Sequence, residues 1–125
     1  MISMVSCSCH SQEETKFVYA CSGCADVGEI ADQVSRKLGK DGFGNVSCLA
    51  GVGAGFSGFI NAAKTADIVM TIDGCEVGCA KKTIENIDIQ PKSFILTKMG
   101  LQKGKSSIST DLITSLCKKI VEAYY

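Results

Sequence analysis

The sequence lacks the features that mark several large classes of protein. Lysine and arginine together number 13, as do aspartate and glutamate, so the formal net charge is zero. A neutral chain offers no basic surface of the kind that binds nucleic acid or an anionic membrane. No stretch approaches the roughly 18 consecutive apolar residues of a transmembrane helix, and residues 1–10 do not resemble a signal peptide. We therefore expect a cytoplasmic protein with no nucleic-acid or membrane partner.

Groups that commonly serve in catalysis are also scarce. His10 is the one histidine, and it precedes the first predicted strand. A catalytic Cys–His pair needs a histidine in the packed domain, so we do not expect a cysteine hydrolase. No pair of carboxylates lies in an apolar context. The sequence does not decide whether the protein is an enzyme, and it identifies no protein partner.

What the sequence has in abundance is cysteine. The 125 residues are 46% hydrophobic and include eight cysteines: Cys7, Cys9, Cys21, Cys24, Cys48, Cys75, Cys79 and Cys117. A chain of this size buries a sufficient core without disulfides. In a reducing compartment, cysteines at this density indicate metal binding or thiol chemistry rather than four disulfide bonds.

The apolar periodicity predicts strands that alternate with helices. Strands are predicted at residues 17–20, 45–50, 67–72 and 94–97, and helices at 26–39, 57–64, 76–86 and from Ser109 or Thr110 onward. This order predicts a three-layer α/β domain, Rossmann-like or flavodoxin-like, with a four-stranded parallel sheet in the order 2-1-3-4. Residues 1–15 are predicted to form a loose N-terminal arm, and residues 16–125 a single domain.

Five cysteines lie where predicted strands end. Cys21 and Cys24 follow the first strand, Cys48 lies in the second, and Cys75 and Cys79 follow the third. The carboxyl ends of parallel strands lie at one edge of a sheet, so these residues are expected to meet there. Thiolates are soft donors that favour zinc, copper(I) or iron–sulfur clusters. We predict metal ligation by Cys21, Cys48, Cys75 and Cys79, with Cys24 as an additional candidate.

The remaining cysteines differ from these five. Cys117 continues the apolar stripe of the last predicted helix, so it is expected to pack in the core. Cys7, Cys9 and His10 form a dense run in the predicted arm and are weak candidates for extra ligands.

Cys79 does not follow the apolar stripe of its own predicted helix. That stripe consists of Val77, Ala80 and Ile84, and at about 100° per residue Cys79 points well away from its centre. A cysteine that served only to fill the core would lie on the stripe, which favours a role for Cys79 in the site.

A glycine-rich segment follows the second predicted strand. Residues 53–58 fit the pattern G-x-G-x-x-G, and Asp73 lies 20 residues beyond Gly53, as in a dinucleotide fingerprint. The next helix is short and the motif follows the second strand rather than the first, so nucleotide binding is not favoured. The glycines instead let the chain pass close to the cysteines, and a small bound anion is the alternative. Asp73, Gly74, Gly51 and Gly53 are therefore predicted to support the site.

Several of these segments together resemble one known family. The segments are Asp73-Gly74-Cys75 with Cys79, Cys21-Ser22-Gly23, residues 26–31 and Cys48-Leu49-Ala50-Gly51. They resemble the DGC domain family over about residues 17–102. That family is regarded as zinc-binding because of four potential chelating cysteines, which correspond here to Cys21, Cys48, Cys75 and Cys79. Position 24 is often not a cysteine in the family.

We predict a thiolate metal-binding protein, with zinc as the expected cofactor and a role in metal storage, sensing, delivery or structure. The alternative is a thiol, persulfide or iron–sulfur redox protein that uses the same cysteines, with an iron–sulfur cluster or no cofactor. Cys21-Ser22-Gly23-Cys24 resembles a thioredoxin-type pair in its position between a strand and a helix. The sequence does not distinguish a closed structural site from an open reactive one, and it does not determine the oligomeric state.

Overall fold

One parallel sheet forms the centre of the protein, in a computed structural model that describes residues 14–125. Its strands are β1 (Lys16–Ala20), β2 (Asn45–Val46), β3 (Ile68–Asp73) and β4 (Lys92–Ile95). They are hydrogen-bonded in the order β2-β1-β3-β4, and every pair is parallel. The predicted α/β class and the predicted strand order 2-1-3-4 are confirmed.

Helices connect and cover the strands. They are α1 (Asp26–Lys40), α2 (Leu49–Gly53), α3 (Ser57–Thr65), α4 (Cys79–Glu85) and α5 (Thr110–Tyr124), with a 3₁₀ turn at Leu96–Met99. Of the two residues at which the sequence allows α5 to start, Ser109 is the cap, and its hydroxyl accepts a hydrogen bond from the Leu112 N–H at 3.1 Å. Across residues 14–125, no helix combines the length and apolar character that a membrane crossing requires.

Alternating side chains of the strands supply two apolar layers, one on each face of the sheet. Val18 of β1 faces the layer formed with α1 and α5, whereas Tyr19 faces the layer formed with α2, α3 and α4. The first layer buries Val18, Ile30, Ala31, Val34, Leu38, Met70, Ile72, Leu96, Ile113, Leu116, Cys117 and Ile120. The second buries Tyr19, Val52, Ala63, Val69 and Ile84. This burial on both faces explains the near-continuous apolar runs of β1 and β3.

The second strand is shorter than predicted. It ends at Val46, and residues 49–50, predicted as strand, begin α2 instead. Cys48 is the residue before this helix, and its Sγ accepts a hydrogen bond from the Gly51 N–H at 3.4 Å. A side chain that caps the helix ends the extended conformation, and apolar alternation does not reveal such a cap.

The fourth helix starts later than predicted. It begins at Cys79 instead of residue 76, because Gly78 adopts a left-handed conformation with a φ of 69°. Val77, predicted to lie on the apolar stripe of the helix, is 70% exposed, whereas Ala80 and Ile84 are fully buried. Cys79 is exposed and so faces away from the core, as the direction of that stripe predicts.

The ends of other elements also differ from the predicted ones. The last strand spans Lys92–Ile95 rather than 94–97, and the 3₁₀ turn that follows ends at Gly100, whose φ is 103°. The cap position of α1 is Ala25, whose side chain makes no capping hydrogen bond. Cys7, Cys9 and His10 of the predicted arm lie outside the described residues.

Candidate thiolate site at the carboxyl edge of the sheet

A cleft of about 210 Å³ opens where β1 and β3 end. Four sulfur-bearing side chains line it: Cys21, Cys24, Cys75 and Cys79. We call it the cysteine cleft. The two strands are neighbours whose connections leave the sheet on opposite faces, and ligands of parallel α/β sheets bind at such a point. The fold therefore brings to one place residues that lie far apart in the sequence.

Cys21 lies at the floor of the cleft. It directly follows β1 and is half-buried, and its N–H donates to the Ile72 carbonyl at 3.0 Å. Its Sγ accepts a hydrogen bond from the Gly74 N–H at 3.4 Å. The backbone can approach so closely because Gly74 has no side chain: a Cβ there would lie 2.5 Å from the Val27 carbonyl group. Gly74 thus lets the end of β3 pack against the start of α1.

Cys79 lies on the rim of the cleft as the first residue of α4. Its position is set by Asp73, the buried last residue of β3, whose carboxylate accepts the Ala80 N–H at 2.7 Å and the Lys81 N–H at 3.1 Å. Burial raises the pKa of Asp73, and the two backbone hydrogen bonds oppose that shift. Asp73 therefore joins the end of β3 to α4 and holds the intervening turn that carries Cys75.

Cys75 has a basic neighbour. It is half-buried in the turn between β3 and α4, and the Lys103 Nζ lies 3.6 Å from its Sγ. Lys103 comes from the loop between the 3₁₀ turn and α5, and it also lines the cysteine cleft. Cys24, in contrast, is exposed on the segment that joins β1 to α1.

Cys48 lies in a different cleft. This larger cleft, of about 700 Å³, adjoins the ends of β1 and β2, and Cys21 lines both clefts. Its wall includes Phe59, whose ring lies where a Cβ at Gly51 would be. Of the four predicted ligands, Cys21, Cys75 and Cys79 thus line one cleft together with Cys24. Cys48 lines the adjoining cleft.

The glycine motif has a different setting from the expected one. Gly53 is the last residue of α2, and Gly55 forms the turn to α3 with a φ of 83°. The motif therefore joins two helices instead of linking a strand to a helix, so it lacks the arrangement of a dinucleotide-binding loop. Gly53, Gly55 and Gly58 are not among the residues that line either cleft.

The donor atoms suit a soft metal, although they are not gathered into a ready chelate. Within residues 14–125, no three His, Cys, Asp or Glu side chains converge closely enough to hold one ion. The six described cysteines are all free thiols. Two of the five at this edge, Cys21 and Cys48, point their sulfurs at backbone N–H groups. A metal would require side chains of the cleft to turn toward a common point.

Cys117 belongs to the core, as the helix stripe predicts. It is 4% exposed, and its Sγ donates to the Val34 carbonyl at 3.5 Å. Burial raises the pKa of the Cys117 thiol to about 11. This thiol remains protonated at neutral pH and does not share the environment of the cysteine cleft.

Two charged residues of the site were missed from the sequence. Lys103 lies 28 positions from Cys75, and Asp26 accepts backbone hydrogen bonds from Gly104 and Ser106, about 80 positions away. Residues 100–107 are rich in glycine, lysine and serine. Nothing in that composition indicates which way the loop folds.

Similarity to known proteins identifies the family of this chain. Residues 17–120 match the DGC domain. One similar protein, the "Anaerobic and virulence modulator AnvM" of Pseudomonas aeruginosa, is 31% identical over 87 residues, which cover 69% of this chain and 66% of that protein. The chain thus spans slightly less than two thirds of that relative. No solved structure matches the sequence. The chain belongs to the DGC domain family.

Proposed function

We propose that the carboxyl edge of the sheet binds a soft metal ion through cysteine thiolates, with zinc as the first candidate. The observation that carries the proposal is the grouping of Cys21, Cys24, Cys75 and Cys79 around one cleft. Thiolate sulfur is the donor that zinc uses most in closed sites, and four such ligands complete a tetrahedral shell. Zinc there would act as a Lewis acid or as a structural cross-link.

The expected ligands are Cys21, Cys75 and Cys79, with Cys48 as the fourth predicted ligand and Cys24 as its competitor. Cys24 lines the same cleft as the first three. Cys48 lines the larger cleft, and Cys21 lies between the two. Cys7, Cys9 and His10 are additional ligands if the segment before residue 14 contributes. The two residues that differ between these schemes, Cys24 and Cys48, are both exposed, so either side chain is free to turn.

The protein's role would be to store, sense or deliver the metal. The two apolar layers already stabilise the fold, so a metal is less needed for folding than in a zinc finger. The name of the Pseudomonas relative describes that protein as an anaerobic and virulence modulator. Thiolate sites are sensitive to oxidation, which supports a sensing role for this chain in the cytoplasm.

Elemental analysis of protein purified without oxygen tests the proposal. We expect about one zinc per chain, with thiols of the cleft protected from alkylation until a chelator is added. Cys→Ser variants at positions 21, 75 and 79 should each reduce metal content, and comparison of Cys24→Ser with Cys48→Ser identifies the fourth ligand. Cys117→Ser is the control, because it lies in the core. Unchanged metal in all the cleft variants would refute the ligand set.

A second candidate is thiol chemistry without a metal. Cys21 and Cys24 line the same cleft, and the left-handed conformation of Ser22, with a φ of 49°, curls the segment between them. Oxidation of this pair to a disulfide would release two protons and two electrons to an external oxidant. Protein free of metal under every growth condition, with a reversible Cys21–Cys24 disulfide, would favour this alternative. Visible absorbance would indicate an iron–sulfur cluster instead.

A further inference from the structure

Lys103 has a special place in the cysteine cleft. Among the described residues that line it, Lys103 is the one with a charged side chain, and the others are glycine, alanine, valine and cysteine. Its ammonium lies 3.6 Å from the Cys75 sulfur, within reach of a hydrogen bond from nitrogen to sulfur. A cation in a largely apolar cleft attracts negative charge more strongly than one in open water.

The loop that carries Lys103 is tied to the opposite wall of the cleft. The Asp26 carboxylate, in the first turn of α1, accepts the Gly104 N–H at 2.8 Å and the Ser106 N–H at 2.9 Å. These hydrogen bonds lower the pKa of Asp26, so the carboxylate stays charged at neutral pH. Because the bonds flank Lys103 on its C-terminal side, they set where the backbone of the loop passes.

Contacts inside the loop fix its shape. The Ser106 hydroxyl donates to the Gln102 carbonyl at 2.7 Å, and the Lys105 N–H donates to the same carbonyl at 3.1 Å. Gly104 adopts a φ of 85°, which closes the turn directly after Lys103. Residues 102–106 thus form a closed turn, which we call the Lys103 strap.

We propose that the Lys103 strap is part of the thiolate site, with Lys103 as a positioning residue whose ammonium hydrogen-bonds the Cys75 sulfur and offsets the charge of the metal–thiolate group. The inference rests on the proposed metal function. Four thiolates around Zn²⁺ leave two excess negative charges, and a hydrogen-bonded ammonium offsets one of them. Asp26 acts indirectly, because its carboxylate holds the strap that carries Lys103.

The test compares Lys103→Gln with a matched control in the same strap, Lys105→Gln, whose side chain does not line the cleft. We expect the zinc affinity of Lys103→Gln, measured by competition with a chelator, to be about tenfold weaker than that of the wild type. Loss of a hydrogen-bonding partner of a metal ligand has an effect of this size in other metal sites. Lys103→Arg should restore most of the affinity, and Lys105→Gln should match the wild type. Thermal unfolding of the metal-free variants should be unchanged, which separates positioning from a loss of fold.

A second measurement does not need the metal. In metal-free protein at one fixed pH, iodoacetamide should modify Cys75 more slowly in Lys103→Gln than in the wild type, because the ammonium that hydrogen-bonds the reacting sulfur is then absent. Peptide mapping by mass spectrometry gives the rate at each cysteine, and Cys48, exposed in the other cleft, serves as the internal reference. Asp26→Ala should slow Cys75 in the same direction, because it releases the strap.

The two proposals fail in different ways. Wild-type protein that binds no metal refutes the metal function. The Lys103–Cys75 contact is then tested by the Cys75 alkylation rates alone. Metal binding in the wild type with equal affinity in Lys103→Gln, or equal Cys75 rates in the two proteins, overturns the role of Lys103. An effect of equal size in Lys105→Gln also overturns it, since the cause would then be general charge.

Discussion

At the scale of single residues, the same side chain has different chemistry in different surroundings. Cys117 and Cys75 are both free cysteines, yet one packs among apolar side chains of α1 and α5 while the other faces a lysine. Burial favours the neutral thiol at Cys117, whereas the Cys75 sulfur lies within hydrogen-bonding distance of an ammonium. The eight cysteines of the sequence therefore do not form one functional class.

Cys117 should make the protein less stable at high pH. Its pKa is raised from 9.0 to about 11, so above pH 9 the unfolded chain loses a proton that the folded chain keeps. The contribution of the Cys117 thiol to the free energy of unfolding is fully present below pH 9. It falls by about 2 kcal/mol as the pH rises toward 11. Urea denaturation of the wild type and Cys117→Ala at pH 8 and pH 10.5 measures the difference; parallel losses in both proteins would contradict it.

Gly74 should not tolerate a side chain. Gly74→Ala places a Cβ 2.5 Å from the backbone of Val27, so we expect a loss of about 1–3 kcal/mol in unfolding free energy. Gly53→Ala is the matched control, because its Cβ would meet only the Thr83 methyl group at 3.8 Å. That variant should lie within about 0.5 kcal/mol of the wild type. Urea denaturation distinguishes them, and equal stability of the two variants would refute the close packing of β3 on α1.

At the scale of elements, the end of the last helix is joined to the start of the first strand. The Lys16 side chain of β1 is 8% exposed, and its Nζ lies 3.7 Å from the centre of the Phe43 ring and 4.1 Å from that of Tyr124. Burial lowers the pKa of Lys16. The aromatic faces compensate for the lost hydration of the ammonium. This cluster lies at the amino end of β1, opposite the cysteine cleft.

The Lys16 cluster should contribute measurably to stability and leave the site unchanged. Lys16→Met and Tyr124→Leu should each lower the unfolding free energy by about 1 kcal/mol, and a double-mutant cycle should give a coupling of about 0.5–1 kcal/mol. Tyr125→Leu is the milder control, since Tyr125 is 86% exposed and its ring centre lies 5.6 Å from the Lys16 Nζ. Additive effects in the cycle would mean that the cation and the ring do not interact.

Element ends were the least predictable part of the fold. Periodicity located each strand and helix that it predicted, yet it placed the start of α4 three residues early, because Gly78 turns left-handed before Cys79. It extended β2 through Cys48, where a side-chain cap begins α2 instead. Such ends depend on one hydrogen bond or one φ angle, whereas periodicity averages over a whole element.

At the scale of the whole molecule, the sheet order determines which cysteines meet. Because β1 lies between β2 and β3, its terminal residue Cys21 borders both clefts, while Cys48 and Cys75 lie on opposite sides of it. The order 2-1-3-4 was predicted from the sequence, and it anticipated that these cysteines share one edge. It did not anticipate that the edge divides into two clefts with Cys48 in the second.

The metal-free protein should remain folded. Since both apolar layers are complete without the cysteine cleft, a chelator should leave the far-ultraviolet circular dichroism unchanged. Added zinc should raise the Tm by several degrees, because a ligand at about 100-fold its Kd stabilises the native state by about 2.7 kcal/mol. Unfolding on chelation would point to a structural metal, and a Tm unaffected by zinc would count against binding.

Hydrophobic periodicity predicted the alternation of strands and helices and the burial of Cys117, because core packing imposes a regular pattern on every strand and helix. The α/β class and the strand order 2-1-3-4 were inferred from that alternation and the flavodoxin-like fold it indicates. The sequence also indicated five cysteines at one edge, since parallel strands end together. The tertiary structure decided which of them share a cleft and that Lys103 and Asp26 belong beside them. Those contacts depend on the path of a loop, which side-chain hydrogen bonds hold and apolar spacing does not encode.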